Sequence, residues 1–497
     1  MKRTFKLIPI ALFCICTLKM QAQTDVDLLR YSQLNISGNA RFTAMSGAFG
    51  ALGANFSALS TNPAAIGLYS KHEVSITGAL SGNNTRSKYL DGKMREDGGL
   101  SFNVPSGGMV FVVYEGSQLE TNAWRRIQLG FGVNRMNDYN NNTYIEGFNA
   151  KNSMVDKFIQ NANGINPGNL NGFYEGMAYQ LYLLDPIDSV KWLYDSPIKG
   201  GNVNQKKILE SYGATTEMVF TVGSNYSDKL YLGATIGVPF IYYSEYSTYK
   251  ETNTENLPFY RPFQSFTFSE KLQTRGTGIN VKLGLIYKPV DFFRLGFAVH
   301  SPTYYYMKDN YQTGMKVDMT IAESPDAVKS QSKSGYYAYN IITPMRALLS
   351  LGFVIGTRGS VDIEGEFIDY RHMKLRAQDN FAYDVNDVVR NKYVATGNLR
   401  IGTEWRVNPV SFRAGYAMQG NPYSKDFNSE FVQHGVKHSY SLGLGFNRGP
   451  WSLDLAFQQQ FGKQNYYLYN LENNKNIFPA SLEQSKYIIS FTLGFKF

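Results

Sequence analysis

The stretch that decides the fold is YIISFTLGFKF, residues 487–497. Large apolar side chains occupy every second position, and small or polar ones occupy most positions between them. The apolar set comprises Tyr487, Ile489, Phe491, Leu493, Phe495 and Phe497, while Ser490, Thr492, Gly494 and Lys496 form the other set. Because strand side chains point alternately to opposite faces, this spacing predicts a β-strand with one apolar and one polar face.

The same alternation recurs upstream, in segments around residues 295–300, 399–407, 440–447 and 451–458. The composition agrees, since 46 Gly, 36 Tyr and 33 Phe suit strands and turns better than helices. A mean hydropathy of −0.30 is what a barrel with an apolar outside and a polar inside averages to. Tyrosines cluster at segment ends, which is typical of an aromatic girdle at a membrane interface. A soluble β-sandwich with exposed tyrosines is the alternative.

The segments number about fourteen, an even count as a closed bacterial barrel requires. They begin near His72, Leu100, Arg126, Thr215, Leu230, Phe266, Phe293, Tyr337, Ser360, Tyr393, Val410, His438, Trp451 and Tyr487. Closure is needed because hydrocarbon cannot satisfy the N–H and C=O groups of an open sheet edge. The sequence therefore predicts an all-β fold: a closed antiparallel transmembrane β-barrel of about 14 strands with an N-terminal hatch, or plug.

Residues 1–22 have the pattern of a secretory signal peptide, with a basic start, an apolar core at Leu7–Leu18 and a small residue, Ala22, before the cleavage point. Both cysteines, Cys14 and Cys16, lie in this segment, so we expect no disulfide and no cysteine nucleophile in the mature chain. The segment also holds four of the basic residues behind the formal net charge of +9. The remaining charge is spread thinly, which gives no support for nucleic-acid binding.

Three regions are predicted after the signal peptide. Residues 23–70 are rich in Gly and Ala and carry apolar side chains that seek burial, so we expect them to fold as a hatch inside the lumen. Residues 71–497 form the barrel. Residues 147–207 interrupt it as a long extracellular loop with helical stretches at Met154–Asn161 and Gly172–Leu184. A second loop around Gln378–Asn391 is expected to hold a helical turn.

The chain resembles the long-chain fatty-acid porin family, FadL and its toluene-channel relatives. The resemblance begins in the hatch, at Ala44–Ala48 and at Ser57–Ala65 with its Asn62-Pro63-Ala64 triplet. It continues downstream through Leu295–Pro302, Arg400–Arg406, Phe412–Tyr416, Ser439–Phe446 and Ser452–Phe457. The resemblance implies a fourteen-stranded barrel plugged by its hatch, in which external loops capture a hydrophobic ligand, an inner pocket holds it, and a break in the wall releases it sideways.

The residues offer candidates for each of these parts. The hatch residues are Asn62, Pro63, Ala64, Phe56 and Leu59. The loop candidates for ligand capture are Phe173, Tyr174, Met177, Tyr179, Leu181, Tyr182 and Leu184, although these side chains could equally pack the loop itself. Arg294, Arg400 and Arg413 are the candidates for an acidic head group, while most lumen charges are expected to pair with one another.

Two stretches are candidates for the lateral opening. Pro105, Gly107 and Gly108 interrupt one strand, and Pro105 has no N–H to donate to a ladder. The second is the Asn-rich stretch from Asn134 through Asn137 to Asn142, which lies nearer the position of the break in the family. The alternative for both is a simple bulge or loop extension.

The predicted function is passive uptake of small hydrophobic molecules, such as long-chain fatty acids or aromatic hydrocarbons, across the bacterial outer membrane. No enzyme motif, cofactor or metal site is evident, so we expect none of them. The expected partners are the ligand, outer-membrane lipid and lipopolysaccharide, and the barrel-assembly machinery through the strand ending at Phe497. A monomer is expected. The alternative is a barrel that serves as a scaffold or docking subunit of a protein-export or surface complex.

Overall fold

The computed structural model describes residues 25–116, 123–196, 198–254, 263–319, 328–377, 381–425, 435–471 and 477–497, so the predicted signal peptide lies outside the described residues. The strands are β1 (Glu73–Lys88), β2 (Arg95–Glu115), β3 (Trp124–Asp138), β4 (Asn141–Asn149), β5 (Asp185–Asp188), β6 (Leu193–Asp195), β7 (Val203–Tyr226), β8 (Leu230–Asn253), β9 (Phe263–Val290), β10 (Phe293–His300), β11 (Tyr304–Met319), β12 (Val328–Gln331), β13 (Gly335–Ile342), β14 (Arg346–Ile355), β15 (Gly359–Asp369), β16 (Lys374–Arg376), β17 (Ala395–Val407), β18 (Val410–Gln419), β19 (Lys437–Arg448), β20 (Trp451–Tyr466) and β21 (Ala480–Lys496).

Nineteen of these strands form one antiparallel sheet that closes on itself through the pairing of β1 with β21. Some strands that follow each other in the chain are segments of one longer barrel strand, which we call a stave. These groups are β3 with β4, β10 with β11, β12 and β13 with β14, and β15 with β16. Counted as staves, the ring has fourteen members. The predicted closed 14-stranded antiparallel barrel is therefore confirmed.

The wall of the barrel reverses the polarity of a soluble protein. The outward positions carry exposed apolar side chains, such as Leu100 and Phe102, which are 66% and 74% exposed. Acidic and amide side chains face inward and are fully buried, among them Gln128, Asp362 and Glu364. Soluble proteins place these residue types the other way round. This arrangement fits a barrel whose outer surface meets lipid.

The two ends of the barrel differ in the length of their connections. One end, the short-turn end, has tight turns such as 227–229, 356–358 and 408–409. The other end, the long-loop end, carries the 150–202 insertion with α3 (Met154–Ala162), α4 (Glu175–Gln180) and the β5–β6 hairpin, and also α5 (Phe381–Lys392). Both predicted helical stretches of the insertion contain a helix. Among the described helices, none is both long and apolar enough to cross a membrane.

Residues 25–70, which we call the plug, lie inside the ring. They comprise α1 (Asp25–Ser32), α2 (Ala40–Ala44) and two 3₁₀ helices, Ser57–Ser60 and Pro63–Leu68. The plug backbone meets inward-facing glycines around the ring: Gly233 of β8 meets Pro63, Gly296 of β10 meets Gly50, and Gly415 of β18 meets Met45. At each of these positions an added Cβ would lie within 2.5 Å of a plug backbone atom. Glycine is therefore required where wall and plug approach each other closely.

The lipid-facing surface can be tested by a charge. Leu444 lies on the outward face of β19 and is exposed, so Leu444→Arg should reduce the stability of the folded barrel in lipid by about 2–4 kcal/mol. Phe446→Arg is the matched control, since it faces outward two residues nearer the short-turn end and should cost about 1 kcal/mol or less. Urea unfolding in phospholipid vesicles measures both. Equal losses of stability in the two variants would contradict the prediction that Leu444 lies deeper in the membrane than Phe446.

Candidate functional site

The wall of the barrel is interrupted between β2 and β3. Their ladder runs from Glu115↔Arg126 to Ser106↔Asn134 and ends there. The rest of β2, Arg95–Pro105, pairs with β1 on one side and has no described strand on the other. A bulge at Val104 and Pro105, opposite Gly78, marks the point where pairing with β3 stops. We call this interruption the wall gap.

The gap exists because the third stave turns inward. β3 and β4 are separated at Tyr139 and Asn140, and β4 continues to pair with β7. The side-chain amide of Asn140 donates to Ser101 Oγ at 2.9 Å. The backbone N–H of Asn142 donates to Asn83 Oδ1 at 3.2 Å. Ser87, an inward-facing residue of β1, donates to the carbonyl of Tyr144. β4 therefore lies against the inner surface of the β1–β2 hairpin instead of completing the wall.

A cavity of about 50 Å³ lies directly behind the gap. It combines apolar side chains with a rim of amides, hydroxyls and charges. Its lining includes Ile36 of the plug, Ser101 and Asn103 of β2, Arg135, Asp138 and Asn140 of the third stave, and Tyr487 and Ile488 of β21. Both edges of the wall gap thus contribute to the cavity, and the plug forms its floor.

The predicted lateral-opening residues fall on and below this gap. Pro105 and Asn134 stand at its lower edge, one on each strand. Gly107 and Gly108 lie in the paired part of β2. Because Gly108 has no side chain, the ring of Phe56 in the plug packs directly against it. Asn137 faces the plug, where its amide donates to the carbonyl of Gln33 at 3.1 Å. The two candidate stretches therefore lie on opposite sides of one interruption.

The predicted hatch residues are buried in the plug. Asn62 caps the 3₁₀ helix Pro63–Leu68 by accepting from the N–H of Ala64 at 3.1 Å. Its amide nitrogen also donates to the carbonyl of Gly50 at 2.6 Å and to that of Leu285 in β9 at 3.3 Å. Phe56 and Leu59 belong to the apolar cluster that joins plug and wall. Asn62 therefore links two parts of the plug to the barrel.

The three predicted head-group arginines are engaged inside the lumen. Arg294 donates to the carbonyl of Leu52 in the plug at 2.7 Å. Arg400 forms ion pairs with Glu364 and Glu366. Arg413 pairs with Glu404 at 2.6 Å and with Asp454 at 2.7 Å. These bonds hold the plug and link staves of the wall to one another, and a role in binding a ligand head group stays a prediction.

Most of the predicted capture residues lie in the interior of the 150–202 insertion. Met177, Leu181 and Leu184 are buried in one apolar cluster with α3 and the extended ends of the neighbouring strands, and Tyr174 and Tyr179 pack against it. Phe173 packs against Tyr311 with ring centroids 5.6 Å apart and the ring planes tilted by 39°. Tyr182 is 46% exposed. In α4, burial raises the pKa of Glu175, whose Oε1 accepts from the N–H of Asn171. Ligand capture by this loop stays a prediction.

Three tyrosines from the segment ends that predicted a membrane girdle lie inside the upper lumen. Tyr243, Tyr305 and Tyr339 point inward and are buried, whereas Tyr304 and Tyr306 point outward. Tyr31 of α1 packs edge-to-face on Tyr139 and Tyr243, with centroids 6.0 and 6.3 Å apart. Alternation along the strands was the signal that separates inner from outer tyrosines. The position of α1 had no signal in the sequence.

This chain is similar to known proteins in its fold. No family model matches the chain, and no curated protein matches it. A FadL homologue from Pseudomonas aeruginosa superposes with a TM-score of 0.56 at 14% identity, covering 93% of this chain and 99% of that one. The toluene transporter TodX from P. putida gives a TM-score of 0.54 at 12% identity, with the same coverage. The predicted resemblance to FadL- and TodX-type channels is confirmed at the level of the fold.

Proposed function

We propose that this protein is a passive channel that carries small hydrophobic molecules across the bacterial outer membrane and releases them sideways through the wall gap. The observation that carries the proposal is the coincidence of the gap with a cavity at the level of the plug. The plug occupies the lumen beneath, so a solute that reaches the cavity would leave it through the gap into the bilayer. Transfer of apolar surface into lipid is favourable and needs no cofactor.

The other parts of the route belong to the same proposal. The external loop with Phe173, Tyr174, Met177, Tyr179, Leu181, Tyr182 and Leu184 would capture the solute, and the lumen would pass it to the gap. Arg294, Arg400 and Arg413 would contribute positive potential inside the lumen, although Arg400 and Arg413 are already ion-paired and Arg294 donates to a plug carbonyl. The fold neighbours are a FadL homologue and a toluene transporter, which supports a transport role over an enzymatic one.

Residence in the outer membrane is part of the proposal. The outward apolar face would contact membrane lipid and lipopolysaccharide. The strand β21, followed by Phe497, would present the barrel to the assembly machinery. Phe497 stacks on His72 at 5.1 Å, next to the seam where β1 meets β21. We propose a monomer, because the ring closes within a single chain.

A disulfide across the wall gap tests the proposal. The two cysteines of the sequence precede residue 25, so the double variant Ser101→Cys/Asn140→Cys adds a unique pair whose native side chains are 2.9 Å apart. Oxidation should abolish most uptake of labelled fatty acid and of labelled toluene by cells that lack the native protein, because the exit is then closed. Reduction should restore it.

The matched control is Met109→Cys/Phe131→Cys, a register pair in the same two strands below the gap. Its oxidation should leave uptake unchanged. Full uptake through the oxidised gap variant would exclude the lateral exit. Absence of uptake in every form, with the protein co-purifying in a secretion complex, would favour the scaffold function instead.

A further inference from the structure

A second cavity lies at the short-turn end, beneath the plug. Its volume is about 290 Å³, and its rim includes the 408–409 and 449–450 turns and the first residue of β1, Glu73. We call it the vestibule. Short turns face the periplasm in outer-membrane barrels, so the vestibule would open to that compartment. It is separated from the wall gap by the plug and is not on the proposed route of a hydrophobic solute.

Three guanidinium groups in the vestibule converge on one carboxylate. Arg41 of the plug binds both oxygens of Glu404, at 2.7 and 3.0 Å. Arg406 binds Oε1 through Nε and Nη2, at 2.9 and 2.7 Å. Arg413 binds Oε2 at 2.6 Å and also Asp454 at 2.7 Å. These contacts bring five N–H donors to Glu404, whereas a carboxylate has about four lone-pair sites, so Glu404 is saturated.

Charged donors remain after this pairing. A guanidinium carries five N–H groups in a planar fork. Within the described residues, Nη1 of Arg406 and Nη2 of Arg413 make no hydrogen bond. Lys496, also on the lining, stands 3.6 Å from Glu73 and is about half exposed. The Arg406 side chain is 49% exposed, so its free edge is reachable from solvent.

By comparison, the ion pairs deeper in the lumen contain equal numbers of positive and negative side chains. Within the part of the chain that the structure describes, Lys282 pairs with Glu217 alone. Arg346 and Arg400 share Glu364 and Glu366, two cations for two anions. In the vestibule, Arg41, Arg406, Arg413 and Lys496 face Glu404, Asp454 and Glu73, which leaves one positive charge in excess. An arginine fork with free donors and excess charge is suited to a planar or tetrahedral oxyanion.

We propose that the vestibule is a binding site for a small periplasmic oxyanion, a carboxylate- or phosphate-bearing solute, held by the free donors of Arg406 and Arg413 with Lys496. The bound anion shares these arginines with Glu404, which anchors Arg41 of the plug. Occupancy is therefore linked to the ion-pair cluster that fixes the plug from below. The site stands apart from the hydrophobic route, and only its access from the periplasm rests on the proposed outer-membrane residence.

Titration calorimetry on the purified full-length barrel in neutral detergent tests the site with succinate and inorganic phosphate as separate probes, and with succinamide as the uncharged comparison. We expect one oxyanion per chain, no binding of succinamide, and a loss of at least about tenfold in affinity in Arg406→Gln, since a charge-assisted bidentate contact is lost. The probe that binds more tightly identifies the oxyanion chemistry.

Arg448→Gln is the matched control, because Arg448 is exposed at the same end of the barrel, on the outward face of β19. It should bind as the wild type does. Absence of binding by both anions would overturn the proposal, and so would unchanged affinity in Arg406→Gln. Heat-dependent gel mobility confirms that each variant is folded. Uptake of hydrophobic solutes is scored separately, so failure of transport and failure of this site are distinguishable.

Discussion

Gly233→Val is expected to displace the plug and so to make the closed barrel conduct ions. A Cβ at position 233 would lie 2.3 Å from the carbonyl carbon and oxygen of Pro63 and 2.6 Å from the nitrogen of Ala64. These are backbone atoms that cannot rotate away, and overpacking of this kind costs about 1–3 kcal/mol or more. The contact lies on the plug face, while the ladder of β8 with β7 and β9 stays intact.

Single-channel recording in planar bilayers measures the result. We expect discrete ion-conducting openings in Gly233→Val and none in the wild type. Gly365→Val is the matched control, because it also replaces a strand glycine but has no atom within 4 Å of the added Cβ. It should remain closed. A silent Gly233→Val barrel that is folded would show that the plug does not depend on this contact.

Glu404→Gln is expected to cause the largest loss of stability among single substitutions in the lumen. Glu404 is 1% exposed and receives three arginines, from the plug and from the wall. The neutral amide keeps the size of the side chain but leaves three guanidinium groups without their shared anion. Removing one partner of a buried ion pair typically costs about 3–5 kcal/mol. Urea unfolding in phospholipid vesicles, followed by tryptophan fluorescence, measures the difference in the free energy of unfolding.

Arg406→Gln provides the comparison within the same cluster. Its side chain is half exposed, and half-exposed ion pairs are worth at most about 1 kcal/mol. Arg41 and Arg413 still hold Glu404 in that variant. Equal losses for Glu404→Gln and Arg406→Gln would mean that burial does not set the strength of the cluster.

The barrel was predictable because alternation is a local property. The predicted starts at Phe293, Val410 and Trp451 coincide with the first residues of β10, β18 and β20. The predicted strand start near Thr215 lies downstream of the observed one, since β7 begins at Val203. Lys206, Lys207 and Glu210 give that first part of β7 a polar character, so it lacks the apolar face on which the prediction relied.

The pairing inside the lumen could not be predicted from the sequence. Arg41 and Glu404 are 363 residues apart, and Asn62 reaches a carbonyl 223 residues away. No local pattern encodes which inward charges meet. The same holds for Tyr31 of α1, whose ring packs on Tyr139 and Tyr243. The wall gap is intermediate: Pro105 and Asn134 were visible as irregularities, but only the ladder shows that they face each other.

The position of a heavy-atom-labelled hydrophobic solute in the purified barrel, for example iodobenzene or a brominated fatty acid seen by anomalous diffraction, tests the sideways route most directly. Density is expected in the cavity lined by Ile36, Asn103 and Tyr487, extending between Ser101 and Arg135 toward the outer surface. Density that bypasses the gap and continues through the plug to the vestibule would contradict it.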